Sequence, residues 1–155
     1  MKTKPLFFVI AFFGLTNLFS QNSSIGGIEE IVSSLKSKLE TWEKVEMVNT
    51  IETKKYFYYK ENDLQLASVQ QIEKKIEKNV QWYFLNKQLL YSETNWLDTA
   101  SGKLLYTEKT YHANGNLIAW LNNESTFVDS NSPEFKNLDK SLNDYSLKLR
   151  NEAMK

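Results

Sequence analysis

Cysteine is absent from this chain, and histidine occurs once, at His112. Without cysteine there is neither a disulfide to staple the fold nor a thiol to act as nucleophile or metal ligand. One imidazole falls short of the ligand sets that zinc sites draw on, and no dense carboxylate loop of the calcium type occurs. Glycine appears five times and proline twice, in no arrangement that makes a phosphate-binding loop, and the G-x-S-x-G nucleophile elbow is missing. Neither sign of charge is in excess, with 19 basic and 19 acidic residues. A balanced chain has no electrostatic footprint for nucleic acid or for an anionic membrane. These absences point to no catalytic residues, no metal and no cofactor, and they favour a protein that is not an enzyme.

Long apolar runs are also lacking, except at the start. Pro5 to Leu18 (PLFFVIAFFGLTNL) is uncharged and follows Lys2 and Lys4, the layout of a secretory signal peptide. It is shorter than the roughly 20 residues a membrane-spanning helix needs. The other reading is an uncleaved N-terminal anchor. Cleavage after Ser20 makes 1–20 the signal and 21–155 a single domain, with 17 basic and 19 acidic residues and a net charge near −2. No cysteine follows the apolar run, so a lipid-anchored form is excluded. The ending LFSQ resembles the signal peptides of secreted Bacteroidetes proteins. The expectation is export to the periplasm or the extracellular space, with no stable membrane insertion after cleavage.

Aromatic residues are plentiful in what remains. Ile28, Ile31, Val32, Leu35, Leu39 and Trp42 fall on one helical stripe, with Ser23 or Ser24 available as a cap. From 51 to 122 the pattern turns to strands: KKYFYYK (54–60), VQWYFL (80–85), LLYSETNWL (89–97), KLLYTEKTYH (103–112) and NLIAWL (116–121), each ending in turn residues. The ambiguous segment 64–78 is expected as one long strand. Connections this short leave no room for crossover helices, so about six strands form an antiparallel meander. Asn114-Gly115 is its clearest tight turn. A second helix begins at Ser132-Pro133-Glu134 and continues through Phe135, Leu138, Leu142, Tyr145 and Leu149. The expected fold class is α+β, with a helix at each end of the meander.

Tyr83-Phe84-Leu85-Asn86-Lys87-Gln88-Leu89-Leu90 repeats in form as Tyr111-His112-Ala113-Asn114-Gly115-Asn116-Leu117-Ile118, and Ser101 to Leu105 repeats the second half. The stretch Tyr83 to Trp120 resembles the MORN-like hairpin repeats of small bacterial proteins, including YwqK-type antitoxins, although Lys87 stands where that family has glycine. The resemblance implies a β-meander used as a binding surface, with no catalytic residues to carry over.

With two-residue turns and unbroken alternation, Trp82, Tyr91, Tyr111 and Trp120 share one face and Trp96 takes the other. Ser92, Thr94, Glu108, Thr110 and His112 group together, Glu93 and Lys109 sit near one another, and Glu93 and Glu108 point apart. Both faces carry aromatics, and two helices are too few to cover them. Either an aromatic patch is left over, or the sheet curls tightly and buries both sets. The candidate contact residues for a ligand or partner are Trp82, Tyr91, Trp96, Tyr111 and Trp120. Asp98-Thr99-Ala100 resembles the Bacteroidetes O-glycosylation acceptor, which makes Thr99 a candidate modification site; turn chemistry explains the same residues.

The leading functional expectation is an exported binding protein that uses its aromatic sheet surface. Its ligand would be a protein, a glycan or an apolar small molecule, and not nucleic acid. Alternatives are an inhibitor or immunity-type protein that blocks a hydrolase, and an enzyme of unknown class.

Overall fold

The computed structural model describes residues 25–50 and 52–154; the signal segment, its cleavage point and the cap at Ser23 or Ser24 lie outside them. Helix α1 (Ile25–Lys36) leads through a 3-10 turn (Leu39–Thr41) into seven strands: β1 (Glu43–Thr50), β2 (Thr53–Lys60), β3 (Asp63–Glu73), β4 (Ile76–Leu85), β5 (Gln88–Asp98), β6 (Leu104–Ala113) and β7 (Asn116–Leu121). Helix α2 (Pro133–Ala153) follows. The strands form one sheet in sequence order, and every neighbouring pair is antiparallel. The α+β class and the meander are as expected, but the strand count is seven, not six. The added strand is β1, whose polar sequence EKVEMVNT shows little apolar alternation. Segment 64–78 is also not one strand. It turns back at Lys74-Lys75, where Lys74 takes the left-handed region at φ 55° without the Asn or Gly that usually marks such a turn.

Four hairpins share one construction. In β4–β5, Tyr83 faces Tyr91 and Phe84 faces Leu89, so Leu90 is an extra residue, a β-bulge. The same slip leaves Gln65 extra in β2–β3, Leu105 in β5–β6 and Ile118 in β6–β7. In each case the extra residue directly follows a leucine: Leu64, Leu89, Leu104 and Leu117. The echo between Tyr83–Leu90 and Tyr111–Ile118 is thus a repeated bulged hairpin, and Tyr58 to Gln65 is a further copy. Three of these turns place both central residues at positive φ, at Glu61-Asn62, Asn86-Lys87 and Asn114-Gly115. That is the twist-matched two-residue hairpin.

Each bulge resets the two-residue alternation, which overturns the expected faces. Tyr58, Leu66, Tyr83, Tyr91, Tyr111 and Ala119 form one row across six strands, and α1 covers it with Ile28 and Val32. The opposite row is Phe57, Ala67, Trp82, Ser92, Thr110 and Trp120. Helix α2 covers much of that face, with Leu149 in the core and Leu142 and Tyr145 against it. Tyr91 and Tyr111 therefore lie on the side opposite Trp82 and Trp120, contrary to expectation. The start of α2 is as the sequence implies, with Ser132 Oγ accepting from Phe135 N at 3.1 Å and Pro133 opening the first turn. Its far end is fixed by Lys55 Nζ to Glu152 at 2.6 Å and by the Tyr59 hydroxyl donating to Ala153 O at 2.6 Å.

Lys87 holds a left-handed φ of 64° at the position where the equivalent hairpin has Gly115. A side chain there costs about 1–2 kcal/mol, partly offset by the chain entropy glycine adds to the unfolded state. Lys87→Gly is expected to raise the unfolding free energy by roughly 0.5–1 kcal/mol in urea titration, and Gly115→Ala to lower it by a similar amount.

Candidate functional site

The two helices cover the part of the sheet near the turns at Glu61-Asn62, Asn86-Lys87 and Asn114-Gly115. The other end, toward Lys74-Lys75 and the loop after Asp98, is left open on both faces. On the α2 face, Gln71, Lys78, Trp96 and Tyr106 are directly opposed across β3 to β6. The rings of Trp96 and Tyr106 lie 4.5 Å apart at 33°, and the Lys78 ammonium sits 5.4 Å from the Trp96 ring centre. Trp96 is thereby flanked by a cation on one side and a ring on the other, both favourable contacts. Lys74 and Lys75, carried by the β3–β4 turn, and Glu73 at the end of β3 join them around an open cleft of about 640 Å³. Tyr106 is 37 % exposed and Leu105 beside it 45 %.

The α1 face of the open end is polar. Ser68, Gln81, Glu93, Lys109 and Leu121 make one row, and Gln70, Asn79, Asn95 and Thr107 make the next. Glu77 Oε1 accepts from Gln70 and Asn79, each at 2.8 Å, and Asn95 donates to Glu93 at 2.9 Å while accepting from Thr107 at 2.6 Å. Glu93 also receives the Tyr91 hydroxyl at 2.7 Å and Lys36 Nζ at 3.2 Å. Burial alone would raise its pKa, but the bonds from Asn95 and Tyr91 and the charge of Lys36 outweigh it, so Glu93 titrates below the usual range. A carboxylate held ionised in this way is a poor general acid. It serves instead as the tie between α1 and the sheet, together with the Tyr111 hydroxyl donating to Glu29 at 2.8 Å.

His112 lies at the centre of the α2-covered face with no exposed surface. Its Nε2 pairs with Thr110 Oγ1 at 3.1 Å, and Thr110 Oγ1 with Ser92 Oγ at 2.6 Å. Of the five polar side chains expected to group together, Ser92, Thr110 and His112 are linked in this way, beneath a helix and away from every cleft described above, while Glu108 accepts from Trp120. Burial lowers the His112 pKa to about 4, against a smaller upward pull from Asp139. The imidazole is a neutral core group.

The predicted contact residues are divided by this arrangement. Trp82 is buried under α2, its ring 5.1 Å from that of Tyr145 and tilted 43° to it, and Tyr91 and Tyr111 are buried under α1. Of the three, Tyr91 lines a cleft beside α1, with Lys36, Glu93 and Lys109. Trp96 is partly open, and Trp120, half-buried on the same face, donates to Glu108 at 2.5 Å. Alternation along the strands puts Tyr106 on the same face as Trp96, but neither Tyr106 nor Lys78 is among the candidate contact residues that the sequence offers. The signal that finds them is the bulge at Leu105, which sets Tyr106 opposite Trp96. Glu93 and Lys109, expected as near-diagonal neighbours, are directly opposed, and Glu93 and Glu108 point to opposite faces as expected. Thr99 is exposed, while Asp98 closes its own turn by accepting from Ser101 N and Oγ at 2.8 and 2.7 Å. Among the described residues there is no group of three or more His, Cys, Asp or Glu able to hold a metal, and no helix long and apolar enough to cross a membrane.

No family model matches the chain, and no curated protein matches it. Among solved structures, it is similar to the crystal structure of TarM at 8 % identity, over 65 % of this chain and 23 % of that one, with a TM-score of 0.23. The chain spans about a quarter of TarM, and a likeness this slight carries no argument.

Two measurements test the electrostatics. Below pH 6.5 the unfolded chain protonates His112 while the folded one does not, so this part of the stability is complete above pH 6.5 and lost toward pH 4. The gap corresponds to roughly 3 kcal/mol, and His112→Gln is expected to flatten the fall in melting temperature over that window. Glu93 acts at lower pH, because a depressed carboxylate loses its contribution only as pH falls below its unfolded value. Glu93→Gln is expected to cost roughly 1–3 kcal/mol and to speed amide exchange in α1 before the rest of the fold opens.

Proposed function

We propose that this chain is an exported, non-enzymatic binding protein whose ligand lies across the open end of the sheet, on the Trp96–Tyr106 shelf. The reading rests on one observation: an aromatic pair left uncovered by either helix and bordered by Lys74, Lys75 and Lys78. Exposed apolar surface of this kind marks a contact site, and three cations against the one carboxylate of Glu73 leave a net positive rim that favours a negative partner. The cleft is an open shelf, which suits an extended chain better than an enclosed small molecule. Trp96 already has Lys78 and Tyr106 against it, so there is no free slot into which a nucleobase could stack. An acidic glycan fits both features. Its ring C–H groups pack against Tyr106 and the Trp96 edge, and its carboxylates meet the lysines.

Calorimetric titration with a galacturonate hexamer, and with its neutral methyl ester, tests this. The acidic oligomer is expected to bind, and Trp96→Ala or Tyr106→Ala to weaken it about tenfold or more, in line with roughly 1–2 kcal/mol per aromatic contact. Replacing all three lysines by glutamine is expected to remove the preference for the acid. Thr107→Ala, on the other face, is expected to leave binding unchanged. Binding that survives both aromatic substitutions would overturn the shelf. Failure of uronate oligomers to bind at all would overturn the glycan assignment.

A further inference from the structure

The two edges of the sheet are finished differently. Outside β7 the chain doubles back: Val128 N donates to Trp120 O at 2.9 Å, Asn122 N to Thr126 O at 3.0 Å, and Leu121 bridges Phe127. Outside β1 no strand pairs among the described residues, and β1 is eight residues long against six for β7. An uncovered edge of that length is a template for another strand unless charge discourages it.

The charges on β1 have a particular order. Lys44 and Glu46 lie on the α1 face and flank Val45, which lies on the α2 face with Met47; Val45 and Met47 are each 39 % exposed. Lys44 is held against its own sheet, 4.1 Å from the Tyr56 ring centre and 5.8 Å from that of Tyr58. Beside the same edge, on the α2 face, Glu43, Val45, Tyr59, Arg150 and Met154 line a cleft of about 560 Å³.

We propose that β1 pairs antiparallel with β1 of a second copy of this chain, about a two-fold axis through Val45 and normal to the sheet. Such an axis keeps like faces together, so each residue opposes one of its own face. Centring on Val45 sets Lys44 of each copy opposite Glu46 of the other, which makes two cross-strand ion pairs. Val45 meets Val45, and Glu43 meets Met47. Centring one residue earlier or later would set Lys44 against Lys44 or Glu46 against Glu46, which is destabilising. The charges that protect this edge from strands in general are therefore complementary to one another in a single register. On the α2 face the second copy extends the floor of the cleft with its own Val45 and Met47. A short edge-to-edge pairing belongs to the small class of interfaces, so the association is reversible and concentration-dependent.

Sedimentation equilibrium on the natively processed chain tests the pairing. A monomer–dimer equilibrium in the range of about 1–500 µM is expected. Lys44→Glu and Glu46→Lys are each expected to weaken dimerisation at least tenfold, because each creates two like-charge oppositions. The double exchange Lys44→Glu/Glu46→Lys is expected to restore it. Circular dichroism and melting temperature show that each variant is folded, so loss of the Lys44 contact with Tyr56 is told apart from loss of the dimer. A chain that stays monomeric up to about 1 mM overturns the proposal. So does a dimer indifferent to Lys44→Glu, or a folded double exchange that stays monomeric. Protection of amides 43–47 that appears only with a different protein, and not with concentration, assigns the edge to that partner and overturns self-pairing.

Discussion

One extra residue in each of four hairpins governs the rest of this structure. A β-strand alternates its side chains with a period of two, and a bulge shifts that alternation by one position. Here the shift recurs at Gln65, Leu90, Leu105 and Ile118. Its effect is to gather Tyr58, Leu66, Tyr83, Tyr91 and Tyr111 into a single row. Without the bulge at Leu90, the tyrosines on either side of the Asn86-Lys87 turn would fall on different faces. With it, the Tyr83 and Tyr91 rings meet at 5.8 Å and those of Tyr91 and Tyr111 at 5.3 Å. Burial and the carboxylates of Glu93 and Glu29 hold the hydroxyls of Tyr91 and Tyr111 protonated far above neutral pH, so they remain donors. The row thus packs its rings under α1, while the hydroxyls of Tyr83 and Tyr91 bond to Gln81 and Glu93 toward the open end and that of Tyr111 to Glu29 of α1.

A second constraint is geometric. The longer strands have 10 or 11 residues and so extend for about 33 Å, while a helix is only about 10 Å wide. One helix per face cannot cover such a strand along its length. Helix α2, at 21 residues, is about 31 Å long and lies across the strands, anchored near β7 by Asp139 accepting from Leu117 N and near β2 by Lys55 and Tyr59. The strand ends beyond the helices must be stable in water without cover. The two faces meet this demand differently. The α1 face uses a lattice of amides and carboxylates that satisfy one another. The α2 face uses Trp96 pressed between Lys78 and Tyr106. The lattice occupies its own polar atoms and has little left for a ligand, whereas on the shelf Tyr106 keeps an exposed flank and the two turn lysines stand outside the Trp96 stack. That difference is why the shelf, and not the polar groove, carries the functional proposal.

Much of this was legible in the residues, and the gaps have physical causes. The start of α2 was readable to the residue, because Ser132, Pro133 and Glu134 act through local backbone chemistry. The Asn114-Gly115 turn was readable for the same reason. Strand β1 was not, since an edge strand with neither face deeply buried has no need of apolar alternation, and EKVEMVNT shows little. The turn at Lys74-Lys75 was hidden because its strands enforce a left-handed lysine that propensity would not choose. The faces were misassigned because a bulge leaves no compositional mark; only repetition of the Leu-x pair across four hairpins betrays it. Trp82 and Trp96 are chemically alike and both lie on the α2 face, yet one is core and the other open. What separates them is where α2 crosses the sheet, a tertiary fact that no local pattern encodes.

The shelf and the β1 edge are independent features, but the sheet relates them. Trp96 stands on β5, four strand spacings from β1, or about 19 Å. Pairing about an axis normal to the sheet would leave both shelves on the same side of one continuous surface. Their separation would be nine spacings, about 43 Å, across the strands. It would be about 26 Å along them, because Trp96 stands four residues from the Val45 row, or about 50 Å in all before twist is allowed for. If each shelf takes an anionic ligand as proposed, two of them facing one way at that distance would suit a long, repeating polymer, which could engage both at once. The second contact then forms at an effective concentration set by the polymer between the shelves, so two weak sites act as one strong one. A single short oligomer gains nothing from the second shelf. Dependence of affinity on ligand length, present in the dimer and lost in the monomeric charge variants, would therefore be the signature that joins the two surfaces.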